Sequence, residues 1–312
     1  MPNIGHNIVS VAVGVIKNPQ GQILIALRDD SRHQGGLWEF SGGKIEAGET
    51  AEHALQRELK EELGITVNQA TPLITIQHQY PDKKVQLQVF SVDSFAGEPH
   101  SAENQPIRWV KPCDLNNYPF PSANKAIITA AQLPPYYAIL DDKQPELLLA
   151  NLQTLLSKGL KLIQARLKNL SFEASKAFID LAYPLCQQQG ALLLINSAVT
   201  TDSYADGIHL TSRDLMALSS RPAHVQCLAA SCHNLKEIQH AEQIGVDFVV
   251  LAPVLATKTH PDTPPLGWQQ FAELVGRCNI PVYALGGQTL ADLTTAQQAG
   301  GQGIAAITAF LN

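Results

Sequence analysis

Charge is scarce in this chain, and positive charge scarcer still. Charged residues fill 16% of 312 positions, where about a quarter is usual. Lysine and arginine number 22 against 28 aspartates and glutamates, a net charge of −6. No basic excess is left to follow a phosphate backbone, so nucleic acid is not an expected partner. A single nucleotide is not excluded, because a metal ion can neutralise its phosphates. Long apolar runs are missing too. The run from Ile8 to Ile16 is too short to cross a bilayer, so no membrane is expected. It has no basic stretch before it and no cleavage site after it, and its alternating Val9, Val11, Val13 and Val15 read as a strand. The cysteines, Cys113, Cys186, Cys227, Cys232 and Cys278, are odd in number and form no CxxC pair. They read as thiols of a reducing compartment, and a cytoplasmic protein is expected. Nothing in the sequence specifies an oligomeric state.

What is present suggests about two domains. The expected boundaries are 1–132 and 136–312, joined at Pro134-Pro135, a stiff pair suited to a linker. In the first half, strands are predicted from Ile8 to Lys17 and from Gln22 to Arg28 around the turn Asn18-Pro19-Gln20-Gly21. Further strands are predicted over Leu73 to Gln79, Val85 to Phe95 and Pro106 to Lys111, with a closing helix over Asn124 to Gln132. Between them stands the most informative stretch. Gly42, Gly43 and Gly48 make a loop, Thr50 can cap a helix, and Ala51, Leu55, Leu59 and Leu63 form one apolar stripe before the stop at Gly64. Glu58 and Glu62 lie together beside that stripe, with Glu61 further round. Like charges four apart repel by roughly 0.2 to 0.5 kcal/mol, so carboxylates gathered at an apolar edge suggest a cation between them. Hard oxygen ligands suit Mg²⁺ or Mn²⁺.

Gly43, Glu49, Arg57-Glu58, Leu59, Glu61-Glu62, Gly64 and Ile65 resemble the Nudix box. That resemblance implies an α/β/α sandwich with a mixed sheet and a hydrolase of phosphoanhydride bonds. It implies a site of Arg57, Glu58, Glu61, Glu62 and Glu103, with Gly42, Glu58, Glu61, Glu62 and Glu103 around the metal. Glu49 and Arg57 would brace the loop on the helix. Trp38-Glu39-Phe40-Ser41-Gly42-Gly43-Lys44 and Phe120-Pro121-Ser122-Ala123-Asn124 are similar to MutT-type enzymes, which remove pyrophosphate from 8-oxo-dGTP. Carried over, Asn124 would read the base edge, and Arg28, His33, Glu39, Phe40 and Lys83 would shape the nucleotide pocket. Ser41 replaces the family's proline, and Lys83 its base-contacting arginine, which keeps the charge and loses the planar fork.

From Tyr136 onward the rhythm changes. Apolar runs occur at Tyr136 to Leu140, Leu160 to Leu167, Ala191 to Asn196, Gly207 to Leu210, Gln226 to Ser231, Val246 to Pro253, Pro281 to Gly286 and Gly303 to Ile307. They alternate with amphipathic helices, the pattern of a small (β/α)8 TIM barrel. Gln164 to Asn169, Ala205 to Leu210, Thr257 to Gly267, Gly286-Gly287 and Ala306-Ile307-Thr308 resemble the thiamine phosphate synthase and TenI family. By that resemblance Thr257, Thr259, Gly286, Gly287 and Thr308 would hold the phosphate of a thiazole or thiamin phosphate. The family's Asn-Asp-Arg is Asn196-Ser197-Ala198 here, Leu167 replaces a glutamate and His260 a lysine. A magnesium ligand and a pyrophosphate-binding arginine are thereby lost, so synthase chemistry is not expected.

Three readings stay open on the sequence. The first is a Mg²⁺-dependent diphosphatase of an oxidised purine nucleoside triphosphate, fused to a barrel without synthase activity. In the second the Nudix half cleaves a diphosphate of thiamin or a pyrimidine precursor. In the third the barrel senses a phosphate ester and regulates the hydrolase.

Overall fold

The computed structural model describes residues 8–29, 34–79, 84–102, 104–199, 201–257 and 263–311. They divide into two compact units, 1–132 and 133–312.

The first unit runs β1 (Ile8–Ile16), β2 (Ile23–Leu27), β3 (Trp38–Glu39), β4 (Gly42–Lys44), α1 (Ala51–Leu63), β5 (Thr66–Gln79), β6 (Lys84–Ala96), β7 (Ile107–Val110) and α2 (Lys125–Gln132). Two sheets form, ordered β4-β1-β6-β5 and β3-β2-β7. β1 pairs with β6 in parallel and with β4 antiparallel, which makes the larger sheet mixed. Alternation along β1 sorts its side chains. Ala12 and Ile16 join Leu55, Leu59 and Leu63 of α1, while Val13 and Val15 join Ile127 and Ile128 of α2. The sheet is covered by a helix on each face, as an α/β/α sandwich requires. Gly14 faces α1, where an added Cβ would lie 3.1 Å from Leu59, so its bare backbone lets the helix settle close. The predicted stripe is buried except at its first member: Ala54, Leu55, Leu59 and Leu63 form the core face and Ala51 is half-buried.

The second unit is a closed parallel barrel. Its strands are β8 (Tyr136–Asp141), β9 (Leu162–Arg166), β10 (Leu192–Asn196), β11 (Gly207–Leu210), β12 (Cys227–Cys232), β13 (Phe248–Leu251), β14 (Val282–Leu285) and β15 (Gly303–Ala306). Six helices follow strands: α3 (Leu148–Ser157), α4 (Phe172–Gln188), α5 (Ser212–Ala217), α6 (Leu235–Ile244), α7 (Gly267–Val275) and α8 (Leu293–Gln298). Tyr137, Ile139, Leu162, Leu194, Phe248 and Tyr283 fill the interior, and neighbours such as Ala138, Leu140 and Ile163 pack outward under the helices. Among the described residues the connection from β10 to β11 contains no helix. Its stretch from Ser197 to Asp206 carries serines, threonines and aspartates where a covering helix would need an apolar stripe. Ile195 and Ile208 are consequently only half-buried, and a cavity of about 500 Å³ opens beside them. No helix among the described residues is long and apolar enough to cross a membrane.

Candidate functional site

Thr50 starts α1 by accepting a hydrogen bond from the His53 backbone N–H at 3.2 Å, and Gly64 ends it at φ 70°. A Cβ on Gly64 would sit 2.2 Å from the His100 ring, so that position needs glycine for space as well as conformation. The His100 N–H donates to the Leu63 carbonyl and the Ala102 N–H to that of Glu62, satisfying two open carbonyls of the last turn.

Arg57 locks the glycine loop onto this helix. Its Nε and Nη2 donate to the two oxygens of Glu49 at 3.1 and 3.0 Å, and Nη2 also reaches the Lys44 carbonyl at 3.0 Å. Nη1 donates to Glu58 Oε1 at 2.8 Å. A planar fork with all three nitrogens donating fixes geometry as a point charge could not. The hydrogen bond from Arg57, followed by that from the Glu46 N–H, holds the Glu49 carboxyl below the usual range. Glu49 and Glu58 in turn raise the guanidinium above its ordinary value.

The carboxylates meet the loop directly. The Gly42 N–H donates to Glu62 Oε2 at 3.2 Å, and Glu58 lies so close to Gly43 that an added Cβ would be 2.0 Å from its carboxyl carbon. Glu61 is linked to Glu58 through Arg57, whose Nη1 both approach. It sits about 100° round the helix from Glu62, its side chain is 61% exposed, and its Oε2 lies 3.5 Å from Arg57 Nη1. Among the described residues no three histidine, cysteine, aspartate or glutamate side chains converge as a metal cluster. Two carboxylates at a glycine loop still suit Mg²⁺, which is commonly held by one or two carboxylates, substrate phosphates and water.

Of the predicted nucleotide residues, Arg28 Nη1 pairs with Glu39 Oε2 at 2.9 Å, and its Nε is buried without a hydrogen-bond partner. Phe40 is buried and stacks on Phe120, centroids 5.3 Å apart at 26°. Asn124 is 9% exposed in the short 3-10 turn Ser122–Asn124, just before α2. His33, Lys83, Glu103 and Thr259 lie outside the described residues.

In the barrel a hydrogen-bond chain crosses the buried interior. Asn196 donates to Gln164 at 3.1 Å and Gln164 to the Tyr137 hydroxyl at 3.0 Å. That hydroxyl lies 3.0 Å from His209 Nδ1, and His209 Nε2 lies 2.8 Å from Ser231 Oγ. Burial, helped by Arg166, pushes the His209 imidazole down to about 3, so it stays neutral. Asp214 Oδ2 accepts from the hydroxyls of Ser197 at 2.5 Å and Thr211 at 2.7 Å, which keep its carboxyl ionised. Gly286 and Gly287 adopt φ 102° and 67°, and a Cβ on Gly287 would lie 2.5 Å from the Ala256 carbonyl. Their own backbone packing therefore demands glycine. Thr257 is half-buried and Thr308 exposed. The cavity beside β10 touches Asn196, Ser197 and Asp214 but extends along the outside of the strands to Gln226, away from Gly286. Sequence reading overlooked Phe120 as a partner for Phe40, although its motif was in view. It had no signal for His100, which is distant from Gly64 in the chain.

Residues 12–130 match the family model described as NUDIX domain, and residues 136–310 that described as Thiamine monophosphate synthase. The 8-oxo-dGTP diphosphatase of Escherichia coli (strain K12) is 39% identical over 120 residues, covering 38% of this chain and 93% of that protein. The chain belongs to both the Nudix and the thiamine monophosphate synthase families. The Nudix unit is also similar to the CTP pyrophosphohydrolase of Escherichia coli (strain K12), 34% identical over 39% of this chain and 90% of that one. The barrel is 34% identical to the putative thiamine-phosphate synthase 2 of Aquifex aeolicus (strain VF5), over 58% of this chain and 99% of that protein. The Nudix unit is thus a phosphoanhydride hydrolase of a family that uses a divalent metal.

Proposed function

We propose that the chain is a Mg²⁺-dependent nucleoside triphosphate diphosphatase that converts 8-oxo-dGTP to its monophosphate and pyrophosphate, protecting the nucleotide pool. The observation that carries this reading is the Arg57 brace, which presents Glu58 and Glu62 together at the Gly42–Gly43 loop. A divalent ion held by Glu58, Glu62 and the Gly42 carbonyl would neutralise the triphosphate and supply an activated water. Glu58 keeps its second oxygen for that role while Arg57 holds the first. Phe40 and Phe120 form an apolar wall for a base, and the buried Asn124 amide offers both a donor and an acceptor to its edge.

The barrel, on this reading, binds a phosphate ester and lacks synthase activity. Ser197 stands where the family has an acidic ligand, and its hydroxyl occupies Asp214 instead of a cation.

Hydrolysis of 8-oxo-dGTP, dGTP, CTP, other nucleotides and thiamin diphosphate is compared in Mg²⁺ and in Mn²⁺, beside Glu62→Gln. The expected result is selective cleavage of 8-oxo-dGTP with pyrophosphate released, lost by a factor of about a hundred or more in the variant. Preference for CTP would move the reading to a pyrimidine nucleotide. Preference for thiamin diphosphate would replace nucleotide-pool protection with thiamin metabolism.

A further inference from the structure

One cluster in the Nudix unit is not used by the chemistry above. Arg108 on β7 and Trp38 on β3 flank the central strand β2, where Ile25 pairs with Arg108 and Leu27 with Trp38. Directly paired residues share a face, and so do residues two apart, which brings the guanidinium over the indole. Arg108 Cζ lies 5.4 Å from the Trp38 ring centroid and 5.7 Å from that of Tyr118. Its Nη1 donates to the Tyr118 hydroxyl at 3.3 Å, and the two rings meet edge to face, 5.3 Å apart at 78°.

Tyr118 begins the segment that ends at Asn124, and this segment is fastened to the stretch Trp38 to Phe40, which contains β3. The Trp38 N–H donates to the Pro119 carbonyl at 2.8 Å. Phe120 stacks on Phe40. The Asn124 N–H donates to the Pro121 carbonyl at 2.9 Å. Pro119 and Pro121 restrict the backbone between these points, so a shift at Tyr118 is transmitted along the segment. Arg108 is exposed and touches none of the carboxylates at the glycine loop.

We propose that Arg108 is a positioning residue for base recognition, clamping Tyr118 to Trp38 and thereby setting where Asn124 stands relative to Phe40. This rests on the reading of Asn124 and Phe40 as the base pocket. The clamp acts on how a nucleotide is held and leaves the hydrolytic step alone, so its loss raises KM and blurs selectivity at constant kcat.

The test uses the full chain with Arg108→Met and Arg108→Lys, assayed on 8-oxo-dGTP and the four ordinary deoxynucleoside triphosphates. In Arg108→Met, KM for the preferred nucleotide should rise about fivefold, the scale of an exposed cation–aromatic contact. Preference over the poorest nucleotide should fall by a similar factor, with kcat nearly unchanged and the melting temperature lowered by only about a few degrees. Arg108→Lys should behave like Arg108→Met, because an ammonium lacks the plane that stacks on Trp38 while bonding Tyr118. Unchanged KM and preference in Arg108→Met, or full recovery in Arg108→Lys, overturns the clamp. A wild-type protein that cleaves all the nucleotides alike overturns the base-pocket reading, and the clamp with it.

Discussion

Gly43 owes its place to a carboxylate. An added methyl would lie 2.0 Å from the Glu58 carboxyl carbon and 2.1 Å from its Oε1, a separation that forces one of them to move. The sequence marked this glycine as a turn former, but positive φ falls instead at Gly42, 152°, and at Gly48, 83°, the latter with open space around its Cβ position. Loop patterns report conformational freedom, whereas the approach of a side chain fifteen positions away is visible only once the helix is docked. The two glycines should therefore fail differently. Gly43→Ala should displace Glu58 and lower kcat about 10- to 100-fold with the melting temperature nearly kept. Gly48→Ala should cost about 1–2 kcal/mol of stability, with the Glu58 contact intact. Steady-state kinetics and thermal melting of both variants check this. An equal loss of activity in both would remove the special role of Gly43.

At the scale of elements, all eight barrel strands were legible, because each is a short apolar run ended by polar or turn residues. Leu162–Arg166 and Phe248–Leu251 are examples. The missing helix between β10 and β11 was not, since a polar connection reads equally as loop or as a short exposed helix. Trp38–Glu39 and Gly42–Lys44 were not foreseen as strands either, because glycine has low strand propensity and β4 exists by pairing with β1. The buried chain through Gln164, Tyr137, His209 and Ser231 ties β9, β8, β11 and β12 together, and no sequence period announces it. It makes the barrel sensitive to acid. An unfolded chain protonates this imidazole near about 6.5, whereas the folded one resists until about 3. Between those values the unfolded state binds the extra proton, so stability falls as pH falls through this window and is unaffected by His209 above it. Going from pH 7 to pH 5 should cost the barrel about 2 kcal/mol through this group alone. Hydrogen exchange of β8 and β11 in urea at the two pH values measures the loss, and His209→Gln should remove that share of it. A variant with the wild-type pH dependence would mean that another group carries the effect.

For the molecule as a whole, two families of phosphate chemistry share one chain, and the sequence separated them through local motifs. The Nudix box is dense and contiguous, so Glu58, Glu61 and Glu62 could be proposed from a single stretch, Gly42 to Ile65. The barrel's ligand-end residues are scattered over eight strand ends, and there the substitutions carry the message. Arg166 and Lys168 stand at the end of β9, with burial, then Arg166, pulling the Lys168 ammonium below its usual value. The Asn196 side chain bonds Gln164 and the Ala198 N–H. The next two positions, Ser197 and Ala198, carry neither an anion for a metal nor a cation for a diphosphate. Transfer from a diphosphate ester requires the leaving group's charge to be held as the bond breaks, and neither Ser197 nor Ala198 brings charge to that task. The full chain, supplied with a pyrimidine diphosphate, a thiazole phosphate and Mg²⁺, should therefore form no thiamin phosphate above the enzyme-free rate. A cooperative thermal transition of the barrel in the same preparation excludes misfolding as the cause. Steady formation of thiamin phosphate would show that the lost pair is dispensable and would return the barrel to catalysis. If none forms, a rise in the barrel's melting temperature with thiamin phosphate would leave binding as its role, because a ligand that favours the folded state stabilises it whether or not chemistry follows.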